Sequence, residues 1–176
     1  MGRSINMISE KLTKALNEQI NAEFYSAYIY LSMAAYFEDE NLEGFASWMK
    51  LQAQEEMEHG MKFFNYLHER GASVKLLAIE EPPTKWKSPV EVFKAALKHE
   101  QYVTGRINDL VAMSEKDKDY ATNSFLQWFV NEQVEEEATA DQMVHKLEMV
   151  AGAPGGLYIL DREAGQRQAH SESEGA

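Results

Sequence analysis

The sequence predicts an all-α protein: a four-helix bundle with a long crossover between helices two and three and a short fifth C-terminal helix. Three observations carry that expectation. Prolines and glycines number only 4 and 10 in 176 residues, and no proline falls in the interior of any of the four long runs. Within the runs, apolar residues recur at three- and four-residue spacing, the period of a helix with one buried stripe. A single long irregular stretch, 71–88, interrupts the series.

Ser9 is placed to cap a first helix that runs without Gly or Pro to about Phe37, although no Glu or Gln follows three residues on to complete a capping box. Glu38-Asp39-Glu40-Asn41 breaks it. A second run extends from about Leu42 to Arg70, with Gly71 as its C′ residue. Ser88-Pro89 reads as the N-cap and first residue of a third helix reaching about Ser114. The charged turn Glu115-Lys116-Asp117-Lys118-Asp119 leads into a fourth, which ends near Val150 where Ala151-Gly152-Ala153-Pro154-Gly155-Gly156 stops it. A short amphipathic piece, Leu157 to about Gln166, comes last. One domain is expected over 8–167, with an N-terminal extension at 1–7 and a disordered polar tail at 168–176.

Helices of nearly thirty residues are roughly 40–45 Å long. Short joints make helices one and two, and three and four, antiparallel hairpins. The 71–88 stretch can extend to about 60 Å, enough to run the length of the bundle and set helices two and three parallel.

Composition narrows the functional classes. Hydrophobic residues are 44% and charged residues 26%, a folded composition. The absence of cysteine excludes disulfides, thiolate zinc and Cys-bound iron–sulfur clusters, and makes a reducing cytoplasm the expected location. A net charge of −12 repels phosphate backbones and anionic lipid and concentrates cations, so neither nucleic acid nor a membrane is expected as a partner. No apolar run approaches the ~20 residues of a membrane span, and the N-terminus shows no signal-peptide core.

Four seams face the core: Leu12, Leu16, Gln19, Glu23, Ala27, Tyr30, Ala34 and Phe37; Phe45, Met49, Gln52, Glu56, His59, Phe63 and Tyr66; Phe93, Ala96, Glu100, Val103, Ile107 and Leu110; Leu126, Phe129, Gln133, Glu136, Ala140, Met143, Leu147 and Val150. Each is apolar at its ends and polar in its middle. One seam glutamate alone is usually a frayed boundary, but Glu23, Glu56, Glu100 and Glu136 fall at one height on four helices. A buried ionised carboxylate costs several kcal/mol unless paired, and no Lys or Arg lies on the seams beside them. Bulk water solvates such a cluster only in an opened bundle, whereas one or two multivalent cations satisfy it directly. Glu56 and His59, at i and i+3, point at the same spot. Trp48, Trp128, Phe63, Phe64 and Tyr66 read as core or packing, and His68, His99, His145 and His170 as hydrogen-bonded or exposed.

Together, Asn21-Ala22-Glu23 with Tyr30, Gln54-Glu55-Glu56 with His59, Glu100, and the run Phe125 to Glu137 resemble the non-haem ferritins of bacterial and archaeal type. Such ferritin-like di-iron proteins are themselves the standard example of this bundle architecture. The resemblance implies iron storage with ferroxidase activity, Fe²⁺ being oxidised by O₂ or peroxide and stored as Fe³⁺ mineral inside a homo-oligomeric cage of about 24 subunits. It makes Glu23, Glu56 and His59 ligands of one iron, with Glu56 bridging to a second held by Glu100 and Glu136. It places Gln133 close by, gives Tyr30 a redox role, and assigns a third iron to Glu55, Glu132 and Glu135 with Glu136. Helix five would line the fourfold axis of the shell. Where di-iron proteins of the two-histidine type carry a second Glu-x-x-His, this chain has Gln133-x-x-Glu136. Met57 falls where haem-binding relatives place a ligand, yet haem is not expected. The acidic pair of the animal threefold channel is replaced by Asn123 and Leu126. Two rivals remain at this stage: another di-metal oxidase or peroxidase on the same bundle, and a structural bundle with solvated acids.

Overall fold

The computed structural model describes residues 8–168. The expected extension, His170 and the tail from 169 onward lie outside the described residues. Five helices occur in chain order, with no strand among the described residues: α1 (Glu10–Asp39), α2 (Glu43–Glu69), α3 (Pro89–Lys116), α4 (Tyr120–Met149) and α5 (Pro154–Ala164).

Ser9 caps α1 as its sequence position indicates, its Oγ accepting the Leu12 N–H at 3.2 Å while donating to Asp117 Oδ2 at 2.5 Å, beyond the far end of α3. Gly71 ends α2 with φ +69°, and the Ala72 N–H reaches back to Leu67 O at 2.9 Å. The same stop recurs without glycine. Asn41 (φ +57°) and Lys118 (φ +55°) take the left-handed position after α1 and α3.

The crossover climbs α1 in α1's own direction. Asn17 clamps its start, donating to Ser73 O at 3.0 Å and accepting from Lys75 N–H at 2.6 Å. Asn21 then holds Ala78 O at 3.0 Å, Ser32 holds Pro83 O at 2.6 Å, and Tyr36 meets the Trp86 ring at 5.8 Å. α3 therefore starts where α2 started, and the two run parallel.

α5 begins at Pro154, three residues before the sequence reading placed it. Pro154 occupies the first turn, where its missing N–H costs nothing, so Pro-Gly-Gly opens a helix here instead of merely ending one. The helix docks on the start of α2. Leu42 has no side chain to cap α2, and the Asp161 carboxylate of α5 supplies the acceptor, taking the Phe45 N–H at 2.9 Å. Gly44 makes that approach feasible, since a Cβ there would lie 1.7 Å from Asp161 O. Gly44→Ala is expected to cost about 1–3 kcal/mol and to loosen α5, read as a lower melting temperature.

The core has two apolar ends. One gathers Met33, Phe37, Phe45, Met49, Phe93 and Leu147 with Leu160 of α5; the other gathers Leu12, Leu16, Phe63, Leu67, Ile107 and Phe129. All the seam positions are buried except Val150, which is half-buried. Leu126 is fully buried in the second cluster, so it is a core residue and not a channel-lining counterpart of the animal acidic pair. Between the two clusters lies a polar belt.

Candidate metal centre

That belt is built from the middle turns of α1 to α4. Glu23, Glu56, His59, Glu100, Gln133 and Glu136 are all at most 5% exposed, because each occupies a seam position where the helical period delivers it to the bundle axis. Donor atoms of Glu23, Glu56 and His59 lie within 4.8 Å of one another, as do those of Glu56, Glu100 and Glu136. Glu56 belongs to both groups. A third group joins His59 and Glu136 with half-buried Glu132.

The hydrogen bonds divide the carboxylate oxygens. Gln19 Nε2 donates to Glu23 Oε1 at 2.7 Å, and Gln52 Nε2 donates to Glu56 Oε1 at 3.0 Å and Glu136 Oε2 at 2.7 Å. Gln133 Nε2 donates to Glu100 Oε2 at 3.1 Å, while the Tyr30 hydroxyl donates to Glu100 Oε1. His59 Nδ1 stands 3.4 Å from Glu56 Oε2. Glu23 Oε2 is buried with no hydrogen-bond partner. An orphaned carboxylate oxygen in a dry core is costly, and a cation is the simplest group that completes it.

Electrostatics say the same. Burial, reinforced by Glu56 in each case, pushes the Glu23 and Glu100 carboxyls up to about 8. Burial raises Glu56, then Glu136 beside it; burial raises Glu136, then Glu100. Burial, with Glu100 next, holds the Tyr30 phenol well above its usual range, so it stays a neutral donor. Without a cation the cluster keeps its protons at neutral pH; with one, the protons leave and the oxygens become ligands. The donor set, carboxylate oxygens with a single imidazole, suits a divalent first-row metal.

Glu55 and Glu135 stand apart from these groups. Glu55 is buried against Arg167, with Nη2 at 2.5 Å from its Oε2; Glu135 is exposed, and among the described residues neither joins a cluster of three donors. Trp128 is not core but 39% exposed, its ring 5.3 Å from His59 and 4.5 Å from Lys62 Nζ. His99 accepts or donates at 2.7 Å with Ser26 Oγ, and burial holds it neutral down to about 4. Two arginines escaped the sequence reading because they lie off the seams. Arg106 bonds Gln19 Oε1 at 2.9 Å, and Arg167 bonds Gln52 Oε1 at 2.9 Å.

Fold and donor set define a class: a long four-helix bundle with a carboxylate-rich centre able to hold metal ions. The family model of the ferritin-like domain matches residues 13–150. The bacterial non-haem ferritin of Bacteroides fragilis is 47% identical over 161 residues, spanning 92% of this chain and 100% of its own. That of Staphylococcus aureus strain MRSA252 is 43% identical, spanning 92% and 97%. The open-pore ferritin of the hyperthermophilic archaeon Archaeoglobus fulgidus superposes with a TM-score of 0.91 at 53% identity, over 92% of this chain and 99% of that one. The chain belongs to the ferritin-like family.

Proposed function

We propose that this chain stores iron and oxidises it on entry: two Fe²⁺ ions bind in the belt, O₂ or peroxide removes one electron from each, and the Fe³⁺ collects as mineral inside a hollow shell of about 24 copies in the cytoplasm. The supporting observation is the shared carboxylate. Glu56 joins the Glu23–His59 donors to the Glu100–Glu136 donors, which is the arrangement two adjacent cations require. Two electrons with two protons convert O₂ to hydrogen peroxide, and binding of the cations to Glu23, Glu56, Glu100 and Glu136 releases protons at the same place. A shell of hard oxygen donors with one imidazole favours Fe³⁺ over Fe²⁺ and so drives the oxidation. Gln133 and Tyr30 each donate to one Glu100 oxygen, Gln133 to Oε2 and Tyr30 to Oε1, and so orient that carboxylate for the ions. Glu132 with His59 and Glu136 offers a third ion a place.

Assembly is supported by the surface. Tyr28, Leu31, Met57 and Ile79 are 45–50% exposed and line one groove on α1, α2 and the crossover, an apolar face suited to a second copy. The Archaeoglobus relative is an open-pore ferritin of which a closed form has been engineered by site-directed mutagenesis. Among the described residues no helix is long and apolar enough to cross a membrane.

Electron micrographs before and after aerobic addition of ferrous salt test the reading. Hollow particles that gain dense cores are expected. Gel filtration at the size of a dimer would point instead to a di-metal oxidase or peroxidase, and purified protein that takes up no metal would leave a structural bundle.

A further inference from the structure

We propose that Arg106 and Arg167 are positioning residues for the metal centre, each fixing the amide of a buried glutamine so that its NH₂ group faces a cluster carboxylate. The proposal rests on the belt's reading as a metal site. Two relays of the same construction approach the belt from opposite sides. On the α1–α3 side, Arg106 Nε donates to Gln19 Oε1 at 2.9 Å and Gln19 Nε2 donates to Glu23 Oε1 at 2.7 Å. On the α2–α5 side, Arg167 Nη1 donates to Gln52 Oε1 at 2.9 Å, and Gln52 Nε2 donates to Glu56 Oε1 and Glu136 Oε2.

The chemistry of the guanidinium decides the orientation. It carries only donors, so an amide touching it must present its carbonyl, and the NH₂ end then has to point inward. Gln19 and Gln52 are 1% and 0% exposed, so bulk water offers no alternative partner. With the arginine removed, the amide is free to flip and turn its carbonyl toward the acid, which a protonated carboxyl tolerates by donating but an ionised, metal-bound carboxylate meets as two acceptors face to face. Each arginine is held in turn by an aromatic ring, Arg106 at 5.8 Å from Tyr102 and Arg167 at 4.3 Å from Trp48, and Arg167 also by Glu55. The consequence lies in which oxygen each acid offers. Gln19 occupies Glu23 Oε1 and leaves Oε2, the orphaned atom, for a ligand; Gln52 occupies Glu56 Oε1 and leaves Oε2 on the His59 side. Because Arg167 follows α5, the docking of that helix is part of the same device.

The test is an anaerobic titration with Co²⁺ alone, followed by its d–d absorption. Arg106→Met and Arg167→Met are each expected to weaken Co²⁺ binding by about 10- to 100-fold, the usual effect of losing a group that orients a ligand. The metal-free melting temperature should stay close to that of the wild type for Arg106→Met and fall for Arg167→Met, which also takes the guanidinium from buried Glu55 and from the Trp48 ring. Gln19→Met should reproduce the Arg106→Met loss, and combining the two should add less than about twofold, since both cut one relay; Gln52→Met with Arg167→Met should behave alike. Arg106→Lys, which keeps a donor to the Gln19 carbonyl, should recover part of the affinity. Variants that bind Co²⁺ like the wild type, or paired losses that multiply, overturn the relay while leaving the metal centre standing. A wild-type protein that binds no Co²⁺ overturns the metal centre, and the relay with it.

Discussion

Between pH 6.5 and 8 the metal-free protein is expected to lose stability as pH rises, and a divalent cation to restore it. The belt carboxyls have an ordinary value of 4.5 and are raised to about 8 in the fold. Between those values the unfolded chain has released the proton and the folded chain still holds it. Unfolding therefore releases protons, and higher pH favours it. Over 1.5 pH units each such carboxyl contributes roughly 2 kcal/mol of loss, and four mutually repelling ones contribute more than any single group. His99 acts oppositely, since burial holds it neutral down to about 4, so below pH 6.5 its contribution improves as pH rises. Above 6.5 that effect is spent and the carboxyls dominate. A bound cation reverses the slope because it exchanges for their protons and binds better as they leave. Melting curves in a chelator and in Zn²⁺ should thus diverge with rising pH. Glu100→Gln, which cannot ionise, should flatten the chelator curve and weaken the Zn²⁺ effect together. A metal-free melting temperature that is constant or rises from pH 6.5 to 8 would sink this account of the belt.

The helices and their buried faces were readable because one physical pattern, apolar residues at the helical period, specifies both. The belt was readable for the converse reason: acids standing on that period have nowhere to go but the axis. What escaped the period escaped the reading. Pro154-Gly155-Gly156 carries the composition of a stop, and only the docking of the helix it opens, through Asp161 on Gly44, shows that the chain continues as α5. Trp128 reads as core or packing, and of the two it is packing: 39% exposed, it covers His59 from the rim. Glu55 and Glu135 sit beside the seam glutamates in sequence; a step of one residue turns a side chain about 100° around the helix, and they arrive on Arg167 and at the surface instead of among the donors. Half of each arginine relay did leave a trace, since Gln19 and Gln52 each stand four residues before a belt glutamate. The arginines themselves come from α3 and from beyond α5, and only tertiary docking brings them in.

Replacing Glu56 and His59 together with Ala is expected to slow ferrous oxidation by at least about 100-fold without disturbing assembly. Losing groups that merely orient a ligand already costs about 10- to 100-fold, and this pair removes ligating atoms from all three donor groups. Glu56 alone is common to the two main groups, so no arrangement of the remaining acids brings two cations together across it. Both side chains are at most 4% exposed and neither lines the apolar groove on α1, α2 and the crossover that is the candidate pairing face. The metal-free fold also loses one of the belt's four buried carboxyls, whose desolvation is costly, which offsets part of the packing lost. Stopped-flow absorbance of the ferric product, beside gel filtration of the same sample, separates the two effects. Slow oxidation in intact particles places the chemistry in the belt. Unchanged oxidation in intact particles would mean that iron is oxidised elsewhere, and the shared carboxylate would then be a structural acid whose cation serves the fold alone.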